Sequence, residues 1–404
     1  MPARLARCRN VADVRTLARR RLPRAIFDFI DGGADDEIAM NAGRTQFGAF
    51  ALLPRVGVDV AARDQSCMLF GRRFSSPFGI GPTGLAGLVW PGAEIALMHA
   101  AEAYDVPFTL STVSSVAIEE IGDAASRPHW FQLYILRDRA ISHSLVERAA
   151  AARFETLVVT LDCPVGGNRE RDFHNRFSLP YRPPLPAVFD AARRVSWLAQ
   201  FLRHGVPEPR NLAQAAKTSG AKGLLAFMDG QLDPSVTWED VREVRRFWKG
   251  RLVVKGVLSP QDVADAINVG ADGIVVSSHG GRQFDAGPRP LFMLPHVAEA
   301  AAGRLTLMLD GGVRRGSDVL KALALGADAV LLGRPTLFGV AAAGEPGARR
   351  VLDLLAAEVD RAMALAGCRD LDVLTTDRLI ADVPAMRERR HAGGHMLRLA
   401  EADA

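Results

Sequence analysis

Leu305-Thr306-Leu307-Met308-Leu309-Asp310-Gly311-Gly312 and, further on, Ala329-Val330-Leu331-Leu332-Gly333-Arg334 are two copies of one arrangement, a short apolar run ending in a polar residue or glycine. Each is followed by an alanine-rich stretch of helical period. Working outward from this pair, similar runs occur at Phe78–Gly81, Phe108–Leu110, Trp130–Leu133, Leu157–Thr160, Leu252–Lys255 and Gly273–Ser277, making eight with Leu305–Leu309 and Ala329–Leu332. Continuous apolar strands alternating with helices imply a parallel sheet covered on both faces. Eight such units predict an α/β fold closed into a single (β/α)8 TIM barrel. The paired segments Val269-Gly270-Ala271-Asp272 and Leu325-Gly326-Ala327-Asp328 lead into the sixth and eighth runs and predict helix ends at Gly270 and Gly326.

The spacing is regular except after the fourth strand, where residues 178–226 form a long insertion within one domain spanning 1–404. One motif competes with the barrel: Gly79-Ile80-Gly81-Pro82-Thr83-Gly84 fits GxGxxG after a strand. A dinucleotide turn would open its helix at the last glycine and end the next strand in an acidic residue. The next helix instead begins near Pro91-Gly92-Ala93-Glu94, and the second strand runs into Leu110-Ser111-Thr112.

The chain has 404 residues, 48% hydrophobic and 24% charged, which suits a large core and argues against disorder. A formal charge of +4, from 50 basic and 46 acidic residues, leaves no strongly basic field. That argues against a nucleic-acid partner and is compatible with a small anionic substrate. The cysteines, Cys8, Cys67, Cys163 and Cys368, lie far apart without a CxxC pair, which argues against a zinc site or a disulfide framework. The Arg-rich start has no apolar run of signal-peptide length, and no segment reaches the roughly 20 apolar residues of a spanning helix. A cytoplasmic protein is expected, free or on a membrane surface.

In such barrels chemistry gathers where strands end. All eight ends carry reactive or ligand-binding groups: Thr83, Ser111, Gln132 with Tyr134, Thr160 with Asp162, Lys255, Ser277 with His279, Asp310, and Gly333 with Arg334. Helix N-caps would explain only a few of them. Asp310-Gly311-Gly312-Val313-Arg314-Arg315-Gly316 and Leu332-Gly333-Arg334 set open backbone N–H groups beside cations, which predicts a phosphate site suited to a mononucleotide. The plainer alternative is a tight turn with solvated arginines. His279, flanked by glycines, is the candidate base, with Asp162 to hold its imidazole. Arg169 and Arg282 could fork onto a carboxylate, the alternative being a surface ion pair with Glu170 or Asp172. Lys255 ends an apolar strand, where an unpaired ammonium is costly, so it is expected to face a bound anion.

These residues match a known family: the chain resembles the FMN-dependent 2-hydroxy-acid oxidases and dehydrogenases over nearly its whole length. The matching motifs are Leu22-Pro23 with Gly32-Gly33-Ala34, Gly81-Pro82-Thr83-Gly84, Trp130-Phe131-Gln132-Leu133-Tyr134, Ser278-His279-Gly280-Gly281-Arg282-Gln283 and Asp310-Gly311-Gly312-Val313-Arg314-Arg315-Gly316. The resemblance implies FMN as cofactor and oxidation of an (S)-2-hydroxy acid to the 2-oxo acid. It makes His279 the general base and Asp162 its partner, with Arg282 and Arg169 on the substrate carboxylate and Tyr134 on the hydroxyl. Pro82, Thr83, Gly84, Ser111, Gln132, Thr160 and Ser277 would meet the isoalloxazine and ribityl parts. Lys255 would stabilise negative charge on the reduced flavin, and Asp310, Gly312, Arg314, Gly333 and Arg334 would complete the ribityl and phosphate end.

The chain departs from the family pattern at Phe29, where a carboxylate-binding tyrosine is usual, and at Ser278, where asparagine is common. Gly84 is similar to the dehydrogenase members, the oxidases tending to carry alanine, and it leaves room for a larger substrate side chain. The expected substrate is an aromatic acid such as (S)-mandelate, with electrons passing to a quinone or other non-oxygen acceptor. L-Lactate dehydrogenase and glycolate-type oxidase are the alternatives, and a flavin-binding isomerase or carrier is the alternative of another class. In the insertion, Val188, Ala191, Ala192, Val195, Leu198 and Leu202 form an apolar stripe along one expected helix, 188–204. Trp197 and Phe201 lie beside the arginines, as in an interfacial membrane helix. A lid buried on the barrel or a neighbouring subunit is the alternative. Resemblance further implies a homotetramer.

Overall fold

The computed structural model describes residues 3–177, 185–213 and 230–381. Its main sheet has eight strands: β1 Phe78–Ile80, β2 Thr109–Ser111, β3 Trp130–Leu133, β4 Thr156–Thr160, β5 Arg251–Val257, β6 Gly273–Val276, β7 Thr306–Asp310 and β8 Ala329–Leu332. All neighbours pair in parallel in the order β1-β8-β7-β6-β5-β4-β3-β2, and a parallel bridge from Ile80 to Phe108 closes β1 onto β2. The result is the (β/α)8 barrel that the sequence runs predict, with strand ends displaced by one or two residues. The helix after β1 is Ala93–Ala103, well past Gly84, so the GxGxxG match is not a dinucleotide turn. Gly270 and Gly326 follow the helices Pro260–Asn268 and Gly316–Ala324 with φ of +76° and +105°, ending them as expected.

The two-residue period of the strands decides which side chains meet. Leu157, Val159, Leu252, Val254, Ile274 and Val276 face outward and pack into the core shared with the helices. Trp130, Val158, Val253, Val275, Met308, Ala329 and Leu331 face inward and form a second core with Leu69 and Phe74. Those last two belong to a hairpin, Cys67–Leu69 with Arg72–Phe74, whose connecting Phe70 packs edge-on against Trp130 at 5.8 Å. Each such buried side chain contributes about 1.5–3 kcal/mol. One period further along each strand the inward face turns polar: Gln132 follows Trp130, Thr160 follows Val158, Lys255 follows Val253, Ser277 follows Val275 and Asp310 follows Met308. A dry floor therefore lies beneath a polar mouth at the C-terminal end of the barrel.

The insertion differs from expectation. Instead of one helix over 188–204 there are two, Leu185–Ala192 and Val195–His204, interrupted at Arg193-Arg194. The Arg194 guanidinium turns to the Arg20 carbonyl at 2.6 Å and to Asp190 at 3.4 Å. The expected stripe is split by this break: Val188, Val195 and Leu202 are exposed, while Ala191 and Leu198 pack against the core. Trp197 is only 8% exposed, stacks on Phe201 at 4.9 Å and donates its indole N–H to the Leu88 carbonyl at 2.8 Å. A buried indole needs such an acceptor, so Trp197 anchors the segment to the barrel and does not face outward. Residues 178–184 and 214–229, which include the rest of the expected insertion, lie outside the described residues.

Candidate active site

His279 lies three residues beyond β6 with φ +54°, a conformation uncommon outside glycine. Its backbone N–H donates to the Ser277 hydroxyl at 3.0 Å, and Gly280 and Gly281 continue the turn with φ of +63° and +69°. This turn brings Nδ1 to 2.8 Å from Asp162 Oδ1. Asp162 in turn depends on a bulge in β5 between Lys255 and Val257. There Gly256 has φ +104°, and a Cβ on it would come within 2.7 Å of the Asp162 Cβ.

Lys255 Nζ is 2.8 Å from the Ser277 hydroxyl, 3.3 Å from Asp310 Oδ2 and 3.6 Å from Asp162 Oδ2. Two carboxylates of the chain, Asp162 and Asp310, thus lie beside the charge that was expected to face a bound anion. Burial alone would raise the Asp162 carboxyl, but Lys255 and His279 hold it well below the usual carboxylate range. Burial likewise opposes the Lys255 charge, yet Asp162 and Asp310 keep the ammonium above its usual value. An ionised Asp162 selects the imidazole tautomer with the proton on Nδ1 and the lone pair on Nε2. Nε2 takes no hydrogen-bond partner among the described residues, so the arrangement can accept a proton there.

Burial pushes the Tyr134 phenol well above its usual value, and Cys163 and Asp162 add to the effect, so it remains an O–H donor. Arg282 donates through Nη1 to the carbonyls of Phe29 and Gly32, at 2.8 and 2.9 Å. Burial, with Arg169 and Arg334 nearby, pushes its guanidinium down to about 9, a cost that an anion would relieve. Arg169 pairs with Asp172 at 3.1 Å, so the ion-pair alternative raised by the sequence is the contact that forms. Phe29 lies beneath both cations, 5.4 Å from Arg282 and 5.7 Å from Arg169, and packs on Phe177 at 5.1 Å.

Three polar atoms of the mouth, Gln132 Nε2, Thr160 Oγ1 and Asp310 Oδ1, are buried without a hydrogen-bond partner among the described residues. Buried polar groups are nearly always paired, so a polar ligand fits here. Gln132 is oriented by its Oε1, which accepts from Ser111 Oγ and Thr112 N, both at 3.2 Å. Past β7 and β8, burial pushes Arg314 down to about 10 and Arg334 down to about 9. A phosphate would stabilise both. Space for one exists at Gly311, where a Cβ would meet nothing nearer than Pro290 at 3.8 Å, and at Gly333, where the nearest atom is on Thr83 at 4.0 Å. At Gly312 a Cβ would run into the Gly43 carbonyl, so this glycine also lets the helix Ile38–Thr45 pack closely. Pro82, Thr83 and Gly84 line the half-buried loop after β1, and a Cβ at Gly84 would lie 2.5 Å from Val113 Cγ2.

Sequence reasoning missed two features. Cys163 Sγ lies 3.3 Å from Asp162 Oδ1 and 3.4 Å from His279 Nδ1, and its position directly after Asp162 at a strand end was the available signal. Asp31, fully buried, accepts from Arg15 through both oxygens at 2.7 Å and is approached by Arg171 at 3.3 Å and Arg44 at 3.5 Å. This hub adjoins Gly32, and only the folded chain unites its distant arginines.

A histidine–aspartate pair, half-buried guanidinium groups and unpaired polar atoms at the C-terminal mouth define a catalytic (β/α)8 barrel suited to a phosphorylated cofactor. The chain belongs to the FMN-dependent dehydrogenase family, whose model matches residues 18–381. It is 42% identical to (S)-mandelate dehydrogenase of Pseudomonas putida over 370 residues, 92% of this chain and 93% of that one. It is 44% identical to L-lactate dehydrogenase of Caulobacter vibrioides over 377 residues, 93% of this chain and 98% of the other. The crystal structure of the monotopic membrane protein (S)-mandelate dehydrogenase superposes with a TM-score of 0.90 at 41% identity, covering 93% of this chain and all of that one, 100%. The cofactor of the family is FMN, and the residues at this mouth fit it. No helix among the described residues is long and apolar enough to cross a membrane.

Proposed function

We propose that this enzyme oxidises an (S)-2-hydroxy acid to the 2-oxo acid, with an aromatic acid such as (S)-mandelate as the preferred substrate. The observation that carries the reading is the His279–Asp162 pair at 2.8 Å, with an unoccupied Nε2 in a mouth that also holds Tyr134, Arg282 and Arg169. Arg282, and Arg169 if it turns from Asp172, bind the substrate carboxylate. Tyr134 donates to the substrate hydroxyl and to the oxo group that replaces it. His279 takes the hydroxyl proton at Nε2, and Asp162 stabilises the imidazolium. FMN, when bound, supplies the two-electron acceptor. Gln132, Thr160 and Asp310 orient it, Lys255 balances the charge it gains, and Arg314 and Arg334 hold its phosphate.

Support for an aromatic side chain comes from the apolar Phe29 beneath the two guanidinium groups, whereas at Gly84 the direction of a Cβ is taken by Val113, so that glycine serves local packing. The relatives include lactate as well as mandelate dehydrogenases, so lactate is the second reading. The two insertion helices expose Leu185, Val188, Phe189, Val195 and Leu202. These exposed apolar side chains suit peripheral attachment to a membrane, where a quinone would accept the electrons. Turnover with (S)-mandelate, (R)-mandelate and L-lactate, measured with a quinone analogue and with oxygen, tests these choices. The expected order is (S)-mandelate first, with (R)-mandelate inert and the quinone faster than oxygen. Faster turnover of lactate, or oxygen as the better acceptor, would overturn the corresponding choice.

A further inference from the structure

The proposed chemistry makes no use of the thiol beside the base. Cys163 Sγ, Asp162 Oδ1 and His279 Nδ1 lie 3.3, 3.4 and 2.8 Å apart in pairs. Zinc bonds of about 2.0–2.3 Å in a tetrahedral site separate the ligand atoms by roughly 3.4–3.6 Å. The sulfur thus already stands near the required distance from both partners, and only the histidine–aspartate contact must lengthen. One thiolate, one imidazole and one carboxylate form a donor set for zinc or cadmium and a poor one for magnesium or calcium. Two further observations point to a ligand. Asp162 Oδ2 is buried without a hydrogen-bond partner among the described residues, and Cys163 lines a cavity of about 250 Å³ together with Tyr134, Thr160 and Trp238. Opposing it is the Lys255 ammonium, 3.6 Å from Asp162 Oδ2, which keeps the affinity below that of a structural zinc centre.

We propose that Asp162, Cys163 and His279 form an inhibitory site for a thiophilic divalent cation such as Zn²⁺ or Cd²⁺. The metal bonds to Sγ, Nδ1 and a carboxylate oxygen. The thiol proton leaves to solvent, the imidazole proton moves from Nδ1 to Nε2, and no electron is transferred. With Nε2 protonated, the imidazole has no lone pair for the substrate proton, and turnover stops. This inhibition rests on the proposed role of His279, whereas metal binding itself does not.

Cadmium titration of the FMN-loaded enzyme without substrate, followed by the ultraviolet thiolate-to-cadmium band, reads binding. One equivalent is expected in the wild type and none in Cys163→Ala or Cys163→Val. Turnover is then measured with Zn²⁺, each variant normalised to its own uninhibited rate. The half-inhibitory concentration should rise at least tenfold in both variants, and a chelator should restore wild-type activity. Absence of a band in the wild type, a band that survives loss of Cys163, or equal zinc sensitivity in all three proteins would overturn the proposal. Cadmium binding by a protein that oxidises no hydroxy acid would leave the metal site standing and sink the functional reading instead.

Discussion

Phe29 lies under two guanidinium groups where a tyrosine would add a hydroxyl within the same cluster. A hydrogen bond to a charged group contributes about 1.5–3 kcal/mol, so Phe29→Tyr should lower KM for a small acid such as lactate by about tenfold or more. An unchanged KM would place Phe29 away from the substrate carboxylate. Gly84→Ala sets a methyl group 2.5 Å from Val113 Cγ2. It should slow mandelate turnover, and Val113→Ala in the same chain should restore it; failure of that rescue would mean that the contact with Val113 is not the cause. Among the candidate site residues, Asp162, Lys255, Ser277 and His279 stood out in the sequence because each lies at or just past the end of a strand run. Cys163 was passed over although it directly follows Asp162, because its distance in sequence from the other cysteines pointed away from a metal site.

The helices Leu185–Ala192 and Val195–His204 show how far periodicity reaches at the level of elements. Apolar spacing located a helical insertion, but it could not foresee that Arg194 would find the Arg20 carbonyl, or that Trp197 would find that of Leu88. Both acceptors belong to segments distant in sequence. What remains exposed is Leu185, Val188, Phe189, Val195 and Leu202. Replacing Leu185, Phe189 and Leu202 together by serine should abolish co-flotation with anionic vesicles while leaving turnover with a soluble acceptor intact. Persistent flotation would assign the face to another partner. The strands were read to within two residues because their inner and outer faces are both buried, which makes them continuous apolar runs.

For the whole molecule, pH bears on stability through the groups whose affinity for a proton changes on folding. Asp162 is depressed, so its contribution is present above an unfolded value of about 3.9 and is lost as pH falls through the folded one. Lys255 is raised, so its contribution is full below about 10.4 and is lost only as pH climbs beyond. The site's own ion pairs thus leave stability flat between these limits. His129 behaves differently: burial pushes it down to about 4, although Glu102 lies 3.1 Å away. Unfolded, it would take a proton near pH 6.5, so stability should fall as pH drops from about 6.5 to 4, by an amount on the order of 3 kcal/mol. Thermal unfolding against pH, with His129→Gln as the comparison, checks this; equal slopes in the two proteins would contradict it. The barrel itself was legible from the eight repeated runs, whereas its closure through a single Ile80–Phe108 bridge was not, because β1 and β2 are too short to advertise their register.

The most direct test of the account is anaerobic mixing of the FMN-loaded protein with (S)-mandelate while the flavin absorbance is followed, in the wild type and in His279→Ala. The account predicts rapid bleaching in the wild type and almost none in the variant, with FMN still bound. A wild type that stays yellow with every 2-hydroxy acid offered, or a variant that bleaches at the wild-type rate, would contradict it.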